Sequence, residues 1–507
     1  LWQSNFNPFS PAVNWYSIGA LYETLMYINT LNGKATPMLA TGYQWSNGNK
    51  TLTFTTRQGV QWSDGQAFSA ADVAFTFNLM KKFSGLDFQS IWSVLKSVQA
   101  QGANKVVMTF QQPAVPFFYF IAGKQPIVAQ HIWSSIKNPV TYADAQPVVT
   151  GPFTVQQVSP QTITFVRNPH YWQPGKPYLD KVLYPAFTSN PPANLYLAEG
   201  KAQWGGQFIP NIQAYYVSRD PANNHYWFPP NENVNLYINT TAYPLSVTAV
   251  RQALAYAIDR QRVSTIGEYG YEPPANQTGV VLPTFASWYD KSLADKYNYT
   301  FNPQKAISIL KAAGFTRSGS GPFMTPKGKP LSFSVINVGG NTDWVASLEV
   351  VRSDLQQVGI GLTVENLSQN DYQSRIYNGQ FDLAYDTDTV GPNPYYTYQN
   401  VLFSGNSAPI GKAASSNYER WMSPQTDALL KQFAGTTDSA RQHAIVNQLQ
   451  QIMLQDVPVI PVTEGVSWYQ WSTKQFAGWP TQQNPYANPA PYNTPDWEQV
   501  LLNVHLK

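Results

Sequence analysis

The sequence contains no cysteine and only five histidines, which stand far apart. Without a thiol there can be no disulfide, no cysteine nucleophile and no thiolate metal site. None of His131, His170, His225, His443 and His505 forms an HxH or HxxxH pair, the spacing that places two imidazoles on one face of a strand or helix. We therefore expect no metal site and no cofactor. The absence of cysteine also fits an exported protein that avoids stray oxidation.

Charged residues are scarce, at 12% of the chain against about 25% in an average protein. The formal net charge of +3 includes no block of Lys or Arg, so the dense basic face of a nucleic-acid binder is missing. No apolar run reaches the roughly 18 residues of a membrane-spanning helix, and no secretory signal is visible. The opening Leu1-Trp2-Gln3-Ser4 looks like a chain trimmed of its leader, through which we expect the protein to be tethered to the membrane.

Aromatic residues are abundant, with 16 Trp, 31 Tyr and 26 Phe. Disordered chains lack such large apolar groups, so we expect a folded protein. The length of 507 residues exceeds the roughly 250–300 at which one hydrophobic core stops growing. At least two lobes are therefore predicted.

Helices and strands alternate in two stretches. In the first, Ser69 and Asp72 form a capping-box pattern that predicts a helix between strands at 51–55 and 106–110. The second has a strand, a helix and a strand in succession: Leu331–Val338, Ser347–Val358 and Gly361–Leu367. This order predicts a largely parallel α/β unit.

Four blocks of sequence resemble the family 5 (oligopeptide, dipeptide and nickel type) extracellular solute-binding proteins of ABC importers. The blocks are Pro37–Ala40 with Arg57–Val73 (PMLA, then RQGVQWSDGQAFSAADV), Thr150–Phe153 with Arg167–Trp172 (TGPF, then RNPHYW), Val250–Arg260 (VRQALAYAIDR) and Asn302–Phe315 (NPQKA, then LKAAGF). The chain is identified as a member of this family, in its oligosaccharide-binding branch.

We interpret the residues of these blocks as scaffold. Gly59, Gly65 and Gly151 are predicted turn positions that use the freedom of glycine at positive φ. Arg251 and Asp259 are predicted to form scaffold ion pairs.

The resemblance implies an α/β protein with the two-lobed periplasmic-binding-protein fold (type II, cluster C), a hinge and an extra N-terminal subdomain. Lobe I is expected to comprise 1–40, 150–240 and 466–507, with the extra subdomain at 41–149, and lobe II 241–465. The implied protein is an extracytoplasmic monomer without enzymatic activity. It closes on a small ligand in the interlobe cleft and delivers the ligand to an ABC transporter permease.

The stretch from Phe381 to Tyr396 bears on the ligand. Peptide-binding members resemble one another in a W-x-x-D-x-x-D-P segment, in which an aspartate grips the α-amino group. With Pro394 aligned to the proline of this motif, Asn393 replaces the aspartate before it, and Gly391-Pro392 stands about where the amine-gripping acid belongs. A buried ammonium without a carboxylate is strongly disfavoured, so this departure counts against peptides. A shift of a few residues in the alignment would bring Asp386 or Asp388 into that role.

The Gly-Pro-x-Pro-Tyr-Tyr pattern resembles instead the sugar-binding branch, whose ligands are short β-linked oligosaccharides. Sugar rings pack on flat aromatic side chains, and their hydroxyls need amides and carboxylates. The residues that we predict to bind the ligand are four stacking platforms (Trp15, Trp204, Trp344 and Trp468) and five wall or hydrogen-bonding residues (Tyr385, Asp386, Asp388, Asn393 and Tyr396). Any one tryptophan is more often a packing residue, and the two aspartates are equally well explained as turn residues. Trp62, Trp133 and Trp172 are assigned to the scaffold.

Three alternatives remain open. An oligopeptide-binding protein of an ABC importer is the alternative within the family. Nickel or haem transport is disfavoured by the lack of cysteine and the isolated histidines. A glycoside hydrolase would need two carboxylates facing each other across a cleft.

Overall fold

The structure is a computed structural model that describes residues 2–10, 13, 15–388 and 391–507, without the side chains of residues 15 and 16. The strands are, in chain order, β1 Met26–Ile28, β2 Ala35–Pro37, β3 Ala40–Ser46, β4 Thr51–Thr56, β5 Leu95–Gln101, β6 Lys105–Phe110, β7 Phe153–Val158, β8 Thr162–Arg167, β9 Lys181–Pro185, β10 Trp204–Gly205, β11 Asn224–Tyr226, β12 Pro230–Ile238, β13 Ser332–Val338, β14 Gly361–Leu367, β15 Leu383–Thr387, β16 Val459–Val466, β17 Gln470–Ser472, β18 Phe476–Ala477 and β19 His505–Leu506. The α-helices are α1 Trp15–Ile18, α2 Ala70–Lys82, α3 Gln130–Trp133, α4 Asn190–Ala198, α5 Ile212–Tyr215, α6 Thr248–Ala257, α7 Arg260–Arg262, α8 Lys291–Tyr297, α9 Pro303–Ala312, α10 Thr342–Val358, α11 Gln369–Tyr377, α12 Tyr395–Leu402, α13 Pro424–Ala434, α14 Ser439–Asp456 and α15 Asp496–Asn503. None of the helices in these described ranges has both the length and the apolar character needed to span a bilayer.

A five-stranded sheet in the order β14-β13-β15-β12-β16 organises what we call lobe II. β13 pairs in parallel with β14 and with β15, and α10 connects β13 to β14 as the strand–helix–strand pattern predicts. On one face of this sheet, Val335 and Leu383 pack against Leu348, Val351 and other buried residues of α10 and α6. The core of this lobe therefore lies between the sheet and its helices.

Lobe I is assembled from both ends of the chain. β7, β8 and β9 form one antiparallel sheet, and β17 lies between β10 and β11 in another. In the second sheet, Trp204 of β10 pairs with Trp471 of β17. The C-terminal segment thus returns to the lobe that the N-terminal half builds.

A separate four-stranded antiparallel sheet, β3-β4-β6-β5, packs against α2, and we call residues 40–133 the α2 unit. β4 alternates between half-buried and buried positions, as expected for a strand with one face on a core. The predicted capping box is confirmed, because the Ser69 hydroxyl accepts from the first turn while the Asp72 carboxylate accepts from the Ser69 N–H at 2.9 Å.

The chain crosses between the lobes twice, just before β12 and just after β16. The crossings are hydrogen-bonded to each other, from Trp227 N–H to the Tyr469 carbonyl at 3.1 Å and from Ser467 N–H to the Pro229 carbonyl at 3.0 Å. In the part of the chain that the structure describes, β12 pairs with β15 and β16, so Pro230–Ile238 belongs to the lobe II sheet although we had assigned these residues to lobe I. These two short segments, which are hydrogen-bonded to each other, connect the lobes, and the lobes can turn about them.

Candidate ligand-binding cleft

The carboxyl ends of β13, β14 and β15 meet along one edge of the lobe II sheet, at Val338, Leu367 and Thr387. We call this the carboxyl edge. In open α/β sheets ligands bind in the crevice outside the carboxyl ends of the parallel strands. The loops that leave this edge lead into α10, α11 and α12, so the start of each helix lies beside the crevice.

Lobe I contacts lobe II at this edge. The Asn190 amide donates to Thr342 Oγ1 at 3.2 Å and to Asp343 Oδ1 at 3.3 Å. A side chain at Gly340 would come within 2.6 Å of the Thr188 carbonyl oxygen, so only glycine permits this approach. The crevice between the lobes is therefore covered on this side by the start of α4.

A second contact between the lobes is made by Tyr396, whose side chain is 2% exposed. Its hydroxyl donates to the Pro116 carbonyl at 2.6 Å, and its ring packs edge-on against Tyr119 and Phe120 of lobe I. Asn393, half-buried, lies two residues before α12 and accepts from the Tyr395 N–H through Oδ1 at 3.0 Å. The predicted residues Asn393 and Tyr396 thus lie where α12 meets the opposite lobe.

Gly391 lies beneath the ring of Tyr396. A Cβ built at this glycine would be 2.3 Å from the ring carbons, which no real contact allows. Gly391, which we predicted to stand about where peptide-binding members carry the amine-gripping acid, therefore cannot carry a side chain while Tyr396 keeps its place.

Asp388 is held by Asn233 of β12. The Asn233 N–H donates to Oδ1 and the Asn233 side-chain amide to Oδ2, both at 2.9 Å. Asp388 is 6% exposed, and burial raises its pKa to about 6. Each carboxylate oxygen thus already has a donor from the chain itself.

Asp386 is two residues before Asp388, within β15, and is half-buried. Its Oδ1 accepts from the Thr387 N–H at 2.8 Å, and burial raises its pKa to about 6 while the Tyr372 hydroxyl nearby lowers it. Asp386 retains accepting capacity for a donor that enters from the crevice.

Trp344 and Tyr385 form one contact. Trp344, half-buried, is in the first turn of α10, and its ring stands edge-on to Tyr385 with centroids 5.5 Å apart. Tyr385 itself is 0% exposed and belongs to the lobe II core. The Trp344 side chain is therefore partly accessible at the carboxyl edge, whereas Tyr385 is a core residue that packs against it from inside lobe II.

Trp204 lies within lobe I, where it packs edge-on against Trp479 and its indole N–H donates to the Pro489 carbonyl at 2.9 Å. Trp468 follows β16, which runs in the same direction as β15 and ends on the same edge of the sheet. Its ring packs edge-on against Phe208, Phe228 and Tyr271, so side chains of lobe I, the crossing and lobe II surround it. Both indoles are half-buried. The side chain of Trp15 lies outside the described residues.

Further acids that no sequence pattern indicated converge on the same end of lobe II. Glu268, Glu272 and Asp343 are buried, and burial raises the pKa of all three. Glu232, half-buried at the start of β12, has its pKa raised by burial and by the charges of neighbouring acids, Asp388 first. Among the described residues none of these acids forms an ion pair. The site therefore presents several carboxyl groups without a compensating cation among the described residues.

Comparison with known proteins identifies the family. The model for "Bacterial extracellular solute-binding proteins, family 5 Middle" matches residues 34–409. The nickel-binding periplasmic protein of Escherichia coli is 24% identical over 76% of this chain and 74% of its own length. The dipeptide-binding protein of the same organism is 24% identical over 87% of this chain and 83% of its own length.

Among solved structures, the mannohexaose-bound periplasmic oligopeptide-binding protein of an ABC transporter from Thermotoga maritima superimposes with a TM-score of 0.92. It is 27% identical and covers 100% of this chain and 97% of its own. The predicted α/β periplasmic-binding-protein fold is thereby confirmed. The chain belongs to the family 5 bacterial extracellular solute-binding proteins, which act outside the cytoplasm as the ligand-binding, non-enzymatic components of ABC importers.

Proposed function

We propose that this protein captures a short oligosaccharide, of the β-linked class, between its lobes and delivers it to the permease. The observation that carries the proposal is that no side chain fits at Gly391, about where we predict the amine-gripping acid of peptide-binding members. At Asp388, the nearby acid, each oxygen already accepts a hydrogen bond from Asn233. An incoming ammonium would have to share this carboxylate with the Asn233 donors, and a buried ammonium without a carboxylate partner is costly.

The groups that remain suit a polyhydroxylated ligand. Asp386 and Glu232 offer acceptors, the Trp344 ring offers a flat apolar surface, and buried acids with raised pKa can also donate when protonated. The similarity to a protein solved with mannohexaose supports the same class of ligand. A lipid tether at the N-terminus and a monomeric state belong to this proposal.

A peptide remains the second candidate, because Glu232 is half-buried and has other acids, not cations, around it. An α-ammonium that reached Glu232 would relieve this repulsion. The relatives named for dipeptide and nickel also bind ligands other than sugars.

Calorimetric titration with mannohexaose, cellopentaose and a set of tri- to pentapeptides separates the two candidates. We expect saturable binding of an oligosaccharide and none of a peptide. Peptide binding without sugar binding would refute the proposal.

The variant Glu232→Gln gives a second criterion. Since glutamine keeps an acceptor oxygen, affinity for a neutral sugar should change by less than about tenfold. Affinity for a peptide gripped through its amine should fall about a hundredfold or more, because the buried charge pair is lost. Glu199→Gln, at a lobe I carboxylate paired with Lys201, is the matched control and should change neither affinity.

A further inference from the structure

A second pocket lies in the α2 unit, apart from the crevice between the lobes. It is an open depression of about 940 Å³. Three elements contribute one exposed lysine each: Lys50 from the turn between β3 and β4, Lys81 from the last turn of α2, and Lys96 from β5. No residue that lines it is acidic.

The lysines of this pocket have no carboxylate partner among the described residues. Lys81 instead stands over the Trp92 ring, with Nζ 4.7 Å from its centroid. The indole N–H is already used, since it donates to the Phe77 carbonyl at 2.8 Å. The pocket therefore combines three unpaired ammonium groups with a fixed aromatic wall.

The three acids of the α2 unit form no ion pair with these lysines, and their carboxylates accept hydrogen bonds elsewhere in the unit. Asp64 contacts His131 at 2.8 Å, and Asp72 caps α2. Asp87 accepts from the N–H groups of Ile91 and Trp92 at 2.9 and 2.8 Å.

The unit holds seven Lys and Arg against three Asp and Glu, a formal charge of +4, whereas the whole chain carries +3. The formal charge of this unit thus exceeds that of the whole protein, and part of it surrounds one depression.

We propose that the basic pocket binds a phosphate-bearing ligand. Lysine ammonium groups act as compact point charges with three donors and suit phosphate oxygens, whereas recognition of a planar carboxylate favours the fork of arginine, which is absent from the lining. Thr51 and Thr109 lie in the same lining. The Thr109 hydroxyl is already hydrogen-bonded to that of Ser97 at 2.6 Å, so the Thr51 hydroxyl is the one available for a further hydrogen bond. The phosphate can belong to a soluble compound or to the headgroup of an anionic lipid.

The test uses the intact protein with two probes. Inorganic pyrophosphate is titrated calorimetrically, and binding to phosphatidylcholine vesicles with and without phosphatidylglycerol is measured by co-sedimentation. The variant K50Q/K81Q/K96Q removes the three ammonium groups. The variant K82Q/K105Q/K137Q removes three exposed lysines outside the lining, for the same change of charge. Melting curves establish that both variants fold.

We expect the pocket variant to bind at least one probe about tenfold more weakly or worse and the control variant to keep it within about threefold. Binding of pyrophosphate alone indicates a soluble ligand. Binding of phosphatidylglycerol vesicles that pyrophosphate displaces indicates a headgroup. The single variant Lys96→Gln should show a smaller loss of the same kind.

Two results would overturn the proposal. One is that the wild-type protein binds neither probe. The other is that both triple variants lose binding equally, since that would indicate attraction by net charge alone. Mannohexaose titrations of the same variants keep this test separate from the proposed function, because the pocket lies outside the crevice.

Discussion

The hydrogen bond from the Tyr396 hydroxyl to the Pro116 carbonyl joins the two lobes directly. Tyr396→Phe removes this bond and leaves a buried carbonyl without its donor. A net loss of about 1–2 kcal/mol is expected for such a bond. If the bond exists only when the lobes are together, the whole loss falls on the closed form, and the ligand dissociation constant rises about five- to thirtyfold.

Tyr398→Phe is a close control on the same helix. Tyr398 is 0% exposed, and its hydroxyl donates to the Thr278 carbonyl at 2.9 Å within lobe II. Both variants lose a buried tyrosine–carbonyl bond, but only one of these bonds spans the crevice. Tyr398→Phe should therefore lower the melting temperature and leave ligand affinity unchanged.

Calorimetric titration with mannohexaose measures both affinities, and small-angle X-ray scattering with and without the sugar reports whether the lobes come together. The wild-type protein should contract on binding. Equal affinities for wild type and Tyr396→Phe, or an equal loss in Tyr398→Phe, would refute the reasoning that this bond stabilises closure.

Three further changes test the crevice. Gly391→Ala forces a Cβ into the Tyr396 ring and should lower the free energy of unfolding by about 2–4 kcal/mol in urea denaturation; an unchanged value would contradict the close packing. Asn190→Ala removes the bonds to Thr342 and Asp343 and should weaken mannohexaose binding about two- to fivefold by calorimetry, with no loss of melting temperature. The pKa of Asp388 is raised by burial from 3.8 to about 6, so the folded state binds this proton more tightly than the unfolded chain. Its contribution favours folding below about pH 4 and is lost as the pH rises through about 6, on the order of 3 kcal/mol. Asp388→Asn should therefore show a smaller fall in melting temperature between pH 4.5 and 7.5 than wild type, and an identical fall would exclude this carboxyl as a source.

The scaffold could be predicted from sequence because its signals are local. A capping box at Ser69 and Asp72, or a strand that ends before a helix, can be recognised from a few neighbouring residues. The predicted helix at 347–358 is confirmed but begins earlier, at Thr342. Its first two residues, Thr342 and Asp343, are polar and contact Asn190 of the other lobe, and the regular apolar period that marks a helix starts only after them.

Two scaffold predictions were wrong, those for Arg251 and Gly151. In both cases the residue lies against backbone carbonyl groups from distant parts of the chain. Arg251 forms no ion pair among the described residues and donates to carbonyls, among them those of Asp456 and Leu245, while Asp259 caps α7. Gly59 and Gly65 do have positive φ, but Gly151 does not. A Cβ at Gly151 would meet the Leu21 carbonyl oxygen at 2.4 Å, so its role is close approach. Sequence patterns do not show which distant carbonyl a residue will face.

The candidate site was accessible from sequence only in part. The segment from Asp386 to Tyr396 was found because it departs from a family pattern within consecutive residues. Glu232, Glu272 and Asp343 come from distant segments, and only the sheet and its crossings bring them together. The spacing of these acids along the chain does not indicate that they lie close together in the fold.

The convergence of several acids also bears on the kind of ligand. Residues 230–466 hold 16 Lys and Arg against 19 Asp and Glu, so lobe II is acidic although the whole chain is basic. One ammonium group could neutralise one carboxylate and would leave the others as they are. A polyol brings many hydroxyls, each able to donate to a carboxylate such as that of Asp386 or to accept from a protonated acid. Burial already shifts these acids toward the neutral form. Because a hydroxyl can bind to a carboxyl group that is not charged, a polyol loses less binding free energy than a cation when the lobes close.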